Sequence, residues 1–114
     1  MLSQLDSGLV VIVEDSFIRA FMRTVLTRAG HRAAEVDPRD VANLISSGQH
    51  VKALITNTPA AFRSVAASIP LVYTTSCPDP EATDGFEHCR VLQKPFHAGQ
   101  LLDALEEVSA PVLP

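Results

Sequence analysis

Val51-Lys52-Ala53-Leu54-Ile55-Thr56-Asn57 is the stretch on which the reading of this chain turns. Apart from Lys52 it is apolar or β-branched up to Asn57, and a short run of that kind reads as a strand buried on both faces. The polar residue at its carboxyl end therefore matters, because in open parallel sheets the chemistry gathers in the crevice at the carboxyl ends of the strands. That residue is an amide. No Asp or Glu occurs anywhere from Val41 to Pro78, so no shift of register can put a carboxylate at the end of this strand.

Outward from this strand, the chain alternates. Leu9 to Val13 is another short, wholly apolar run and ends at Glu14-Asp15-Ser16. Ile18, Phe21, Met22, Val25, Leu26 and Ala29 follow at spacings of three and four, which is one apolar face of a helix. Arg19, Arg23 and Arg28 fall elsewhere on its surface, Asp15 or Ser16 can cap its first turn, and Gly30 supplies the stop. Residues 31–36 form a weaker strand near an edge. Arg39 to Ser47 predicts a short helix with Val41, Leu44 and Ile45 inward, closed by Gly48. Ala60 to Ile69 reads as helical, with Phe62, Val65, Ala66 and Ile69 on one side. Pro70 opens the strand Leu71 to Thr75, and Pro78 to His88 is polar and holds at most a short helix. Arg90 to Gln93 is a last strand, and His97 to Val108 the final helix, with Leu101, Leu102, Leu105 and Val108 inward. The prolines of the tail 109–114 forbid a continuing helix.

Strand–helix alternation repeated five times implies an α/β fold, (βα)5 and flavodoxin-like, with a five-stranded parallel sheet and helices on both faces. The strand ends then carry Glu14, Asp15, Asn57, Thr75 and Lys94. The 114 residues suit one domain over 1–114 with a core from about 8 to 108, 46% apolar and 19% charged. The chain is read as free-standing or as part of a longer protein, with no output domain after the final helix. Net charge is −4 and no basic cluster occurs, which argues against nucleic-acid binding. No apolar run is long enough to span a bilayer and no secretory signal is present, so the expectation is a cytoplasmic protein with no membrane partner.

Val13-Glu14-Asp15, Ile18-Arg19, Ala29-Gly30-His31, Leu54-Ile55-Thr56-Asn57, Tyr73-Thr74-Thr75-Ser76 and Lys94-Pro95-Phe96, in this order, resemble the receiver domain of bacterial two-component response regulators over roughly Leu9 to Val108. The resemblance implies an acidic pair that holds magnesium (Glu14 and Asp15), a phosphoacceptor position (Asn57), a switch hydroxyl (Thr75) and a phosphate-pocket lysine (Lys94). It also implies a histidine kinase or other signalling protein as partner. Hard cations want oxygen ligands, and phosphoryl transfer needs positioning and charge neutralisation.

The chain departs from that pattern in four places. Asn57 is not a nucleophile of the kind that forms an aspartyl phosphate, and Thr56 and Thr58 beside it have no evident base. The loop after Asp15 looks one residue short. Val91 stands where many receivers carry a mobile aromatic, with Tyr73 on the neighbouring strand. The abbreviated Pro78 to His88 segment resembles a subgroup whose fourth helix is short. Two carboxylates without a third anionic ligand make magnesium weak, and no cofactor is required. The expected function is therefore an atypical receiver, or pseudo-receiver, not phosphorylated at Asn57 and acting through protein–protein contact. The contact surface is expected near Arg90, Gln93, His97 and Gln100, with a homodimer through the last strand and final helix.

Each of these residues also has a plainer reading. Glu14 and Asp15 can serve only as a helix cap and N-terminal charge. Lys94-Pro95 can be a surface turn, and Thr75 a strand residue with a self-satisfied hydroxyl. The alternatives in function are a dimerisation or docking module without switching, and a small enzyme using Cys77 and His97. Cys77 and Cys89 lie at opposite edges, on the order of 15 Å apart, so no intrachain disulfide is expected. His31, His50 and His88 read as solvated loop residues.

Overall fold

The computed structural model describes residues 8–109; the tail 110–114 lies outside them. Five parallel strands form one sheet in the order β2-β1-β3-β4-β5, with β1 at Leu9–Val13, β2 at Arg32–Glu35, β3 at Val51–Thr56, β4 at Leu71–Thr75 and β5 at Cys89–Gln93. The three central strands are the most apolar runs in the chain, as expected of strands covered on both faces. The weaker β2 is an edge strand, as its mixed composition predicts.

Two packed layers cover the sheet. On one side α1 (Ser16–Arg28) and α3 (Ala98–Ser109) bury Met22, Leu26, Leu101 and Leu105 against Val10, Ile12, Ile55 and Val72. On the other, Val41, Phe62, Ala66 and Phe86 pack on Val11, Val13, Leu54, Leu71 and Tyr73. This alternation is the period-two pleat: neighbouring residues of each strand enter opposite layers. The α1 stop is a paired-bond cap: Gly30 at φ +95° gives its N–H to Thr27, and His31 gives its own to Leu26.

The second layer is less helical than the sequence suggests. The predicted helix over Arg39–Ser47 splits into a 3-10 turn at Pro38–Asp40 and the six-residue α2 at Val41–Ser46, with Leu44 and Ile45 half-buried. The predicted helix over Ala60–Ile69 is instead 3-10, Pro59–Ser68, broken at Phe62 (φ −118°, ψ 21°). Prolines bound this segment on both sides. Pro70 pushes Ile69 into extended geometry (φ −144°, ψ 130°), and the break lets Phe62 drop into the core. Another 3-10 turn, Pro80–Thr83, is all that precedes β5, as expected of a shortened segment.

Two further expectations change. Asp15 sits at the α1 N-cap but makes no side-chain capping bond, while its backbone oxygen accepts the N–H groups of Ile18 and Arg19. Phe21 and Ala29, assigned to the apolar face, are exposed because they lie at its margin; Phe21 is 42% exposed. Among the described residues no helix is long and apolar enough to cross a membrane.

Candidate functional site

Register brings the strand ends level. Val13 is opposite Thr56, Thr56 opposite Tyr73, and Thr75 opposite Gln93, so Glu14, Asn57, Thr74, Thr75 and Lys94 arrive at one edge. An open cleft of about 450 Å³ lies over the ends of β1 and β3, lined by Val13, Glu14, Asp15, Arg19, Glu35, Asp37, Asn57 and Thr58 among others. Two residues alone, Glu14 and Asp15, join β1 to α1.

Pleat parity selects who meets whom. Glu14 continues the parity of Val10 and Ile12, Thr74 that of Val72, and Lys94 that of Leu92, so all three turn to the α1–α3 side. There the fully buried Glu14 side chain accepts hydrogen bonds from three donors. These are the Thr74 hydroxyl, the Asp15 backbone N–H at 3.1 Å, and the Lys94 ammonium, which lies 3.2 Å from both carboxylate oxygens. Among the described residues, no buried polar side-chain atom lacks a partner. A buried carboxylate needs a cation and donors on its remaining lone pairs, and this one has them from its own chain.

The other predicted residues stand outside this network. Asn57 is half-buried at the cleft wall. Beside it, Thr58 N–H donates to Thr56 Oγ1 at 3.1 Å, and the two threonine hydroxyls pair at 3.2 Å. Thr75 has the opposite parity to Thr74; its hydroxyl accepts the Cys77 N–H at 3.1 Å. Tyr73, directly across from Val91, is buried in the second layer, whereas Val91 is 39% exposed.

The cleft's remaining charges are also matched locally. Arg19 Nε lies 3.0 Å from Glu35, with Arg23 at 3.6 Å from the same carboxylate. Asp37 accepts the Arg39 backbone N–H at 2.9 Å and its guanidinium at 3.1 Å, which holds the Asp37 carboxyl below the usual carboxylate range and raises Arg39. Asp15 is the exposed carboxylate left over. Among the described residues no three His, Cys, Asp or Glu side chains gather as metal ligands would. Magnesium fits this donor set poorly, because Glu14 is already occupied by a cation of the chain itself.

Thr74 and Arg19 are the site residues that sequence reasoning passed over. Period-two parity along β4 was the signal for Thr74, since it shares a face with Val72 and hence with Glu14. Cys77 and His97 are not hydrogen-bonded to one another. His97 instead starts α3, its N–H donated to Gln100 Oε1 at 2.9 Å and its Nδ1 accepting the Gln100 N–H at 3.4 Å. Both cysteines are free and exposed. Of the far-edge histidines, His88 and His50 are exposed, while His31 is half-buried with Nδ1 3.2 Å from Lys52 Nζ, which corrects its reading as a solvated loop residue.

No known protein-family profile and no curated protein sequence matches the chain significantly. Solved structures do. A response regulator receiver protein from Sinorhizobium medicae WSM419 superposes with a TM-score of 0.73 at 18% identity, over 92% of this chain and 96% of its own. The signal receiver domain of an HD domain-containing protein from Pseudomonas fluorescens Pf-5 gives 0.77 at 18% identity, over 91% and 88%. The receiver domain of a sensor histidine kinase from Pseudomonas aeruginosa PAO1, solved with a magnesium ion coordinated in its active-site cleft, gives 0.72 at 17% identity, over 92% and 99%. At such identities the likeness establishes the fold: this chain has the architecture of receiver domains over nearly its whole length.

Proposed function

We propose that this chain is an atypical receiver module of two-component signalling that is not phosphorylated at Asn57 and acts by protein–protein contact, with a histidine kinase or another signalling protein as partner. The observation that carries the proposal is the pairing of an amide at the end of β3 with a Glu14 already neutralised by Lys94 and Thr74. An operating phosphoryl site turns its lysine and hydroxyl onto the incoming phosphate oxygens and its acidic pair onto a cation. Here Lys94 and Glu14 satisfy each other, Thr75 is held by the Cys77 amide, and Asp15 is the carboxylate left for a cation. Magnesium would have to displace an ammonium to bind in two places, so we assign it no required role.

The test is incubation with acetyl phosphate and magnesium followed by intact mass measurement. The wild-type chain gains no phosphoryl group. A stable single-phosphoryl adduct on it would refute the proposal. The Asn57→Asp variant supplies the missing nucleophile, and its labelling reports whether the rest of the pocket can still be recruited.

A further inference from the structure

The most exposed large apolar residue among those described is not at the strand ends. Phe17 is 97% exposed, on the first turn of α1, and Phe21, one turn on, is 42% exposed. Phe17, Phe21, Thr24 and Arg28 recur at spacings of four, three and four, so they form one stripe along α1. That stripe does not face the sheet. It overlooks a shallow groove of about 540 Å³ between α1 and α3, lined by Phe21, Val25, Arg28, Ala29, Ala98 and Leu102. Phe96, at the head of α3, packs on Phe21 with ring centroids 6.4 Å apart, extending the aromatic surface. Holding a nearly whole phenyl ring in water forfeits the favourable burial of its apolar surface, and contiguous exposed apolar surface of this kind marks interaction sites.

The charges on the two sides of the groove are opposite. Arg19, Arg23 and Arg28 are the charged residues of α1, and Asp103, Glu106 and Glu107 those of α3. Arg19 and Arg23 bond to Glu35 on the far side of α1, and Glu107 bonds to Arg90 on the far side of α3. Nearer the groove, Arg28 lines its α1 wall, and Glu106, one turn beyond Leu102, flanks its α3 wall. Both are exposed, and among the described residues neither has an ion-pair partner. Each helix follows a strand of the same parallel sheet and packs on the same face, so the two run in the same direction.

We infer that this groove is an interface between two copies of the chain, related by a two-fold axis running along it. An isologous contact demands a self-complementary surface. A rotation about the groove axis lays α1 of one copy over α3 of the other, in the same direction and at the same level. It places Arg28 against the partner copy's Glu106 twice over, and stacks the aromatic heads of the two copies at one end. An axis across the helices would run α1 antiparallel to its copy and set Arg28 against the partner copy's Phe17 end, leaving Arg28 and Glu106 unpaired, so the charge pattern selects the first arrangement. The helices span about 20 Å, so the patch falls at the small end of specific interfaces. This dimer shares the final helix with the surface anticipated from sequence but uses α1 in place of the last strand. It does not depend on the chemistry at Asn57.

Sedimentation equilibrium from micromolar to millimolar concentration tests it. The wild type shows a monomer–dimer equilibrium. Phe17→Ser and Arg28→Glu, both at exposed positions, each weaken it at least tenfold, and so does Glu106→Arg. Mixing Arg28→Glu with Glu106→Arg restores dimers, because every cross-interface pair is again opposite in sign. A chain that stays monomeric to millimolar concentration overturns the proposal, as does a dimer that all three variants leave unweakened.

Discussion

Glu14 is the residue on which the strand-end chemistry depends. Its carboxylate is removed from water and survives because Lys94, Thr74 and the Asp15 amide compensate it. Breaking such a pair on one side leaves an uncompensated buried charge. Lys94→Met should therefore destabilise the fold by about 2–3 kcal/mol, somewhat below the fully buried range because the ammonium keeps 23% exposure, as read by urea denaturation. The double variant Glu14→Met/Lys94→Met should recover most of that loss. Thr74→Val should cost about 1–2 kcal/mol, since it removes one donor and leaves an acceptor short. Thr75→Val, whose hydroxyl only closes a local turn, should cost less than half as much. At this scale the sequence was partly legible. Glu14, Asp15, Asn57 and Lys94 were identified by their place after apolar runs. Thr74 was not, because it reads as an interior strand residue until the parity of neighbouring strands is compared.

Among the elements, legibility followed how strongly each segment's own pattern constrained it. β1, β3 and β4 were readable because an apolar, β-branched run has few alternatives. α1 and α3 were readable from their three-and-four spacing and from Gly30, whose φ of +95° few other residues tolerate. Gly30→Ala should lower stability by about 1 kcal/mol, visible as a few degrees in thermal unfolding. The 3-10 stretch Pro59–Ser68 was misread as a helix because its apolar spacing mimics one. What decided it was the proline at each end and the burial of Phe62 through a break in the turn. Phe62→Ala should cost about 3–4 kcal/mol, a core-sized loss that a surface helix residue would not produce.

The whole molecule has two layers of unequal regularity on one sheet, with a radius of gyration of 13.1 Å, near the roughly 13 Å expected of a compact chain of this length. The regular layer, α1 and α3, supports both the Glu14–Lys94 pair and the aromatic groove. The irregular layer carries Tyr73, locked in the core, and leaves Val91 partly bare. Strand order was legible only as a class, because strand alternation dictates a parallel sheet while the pairing order depends on contacts far apart in the chain. Under the proposed function the strand-end pocket is neutralised from within and receives no phosphoryl group. The most direct measurement follows the backbone amide resonances while magnesium and beryllofluoride, a tetrahedral stand-in for a phosphoryl group, are added together. No localised shifts are expected at Glu14, Asp15, Asn57, Thr75 and Lys94 in the wild type. Saturable shifts confined to those residues would contradict it.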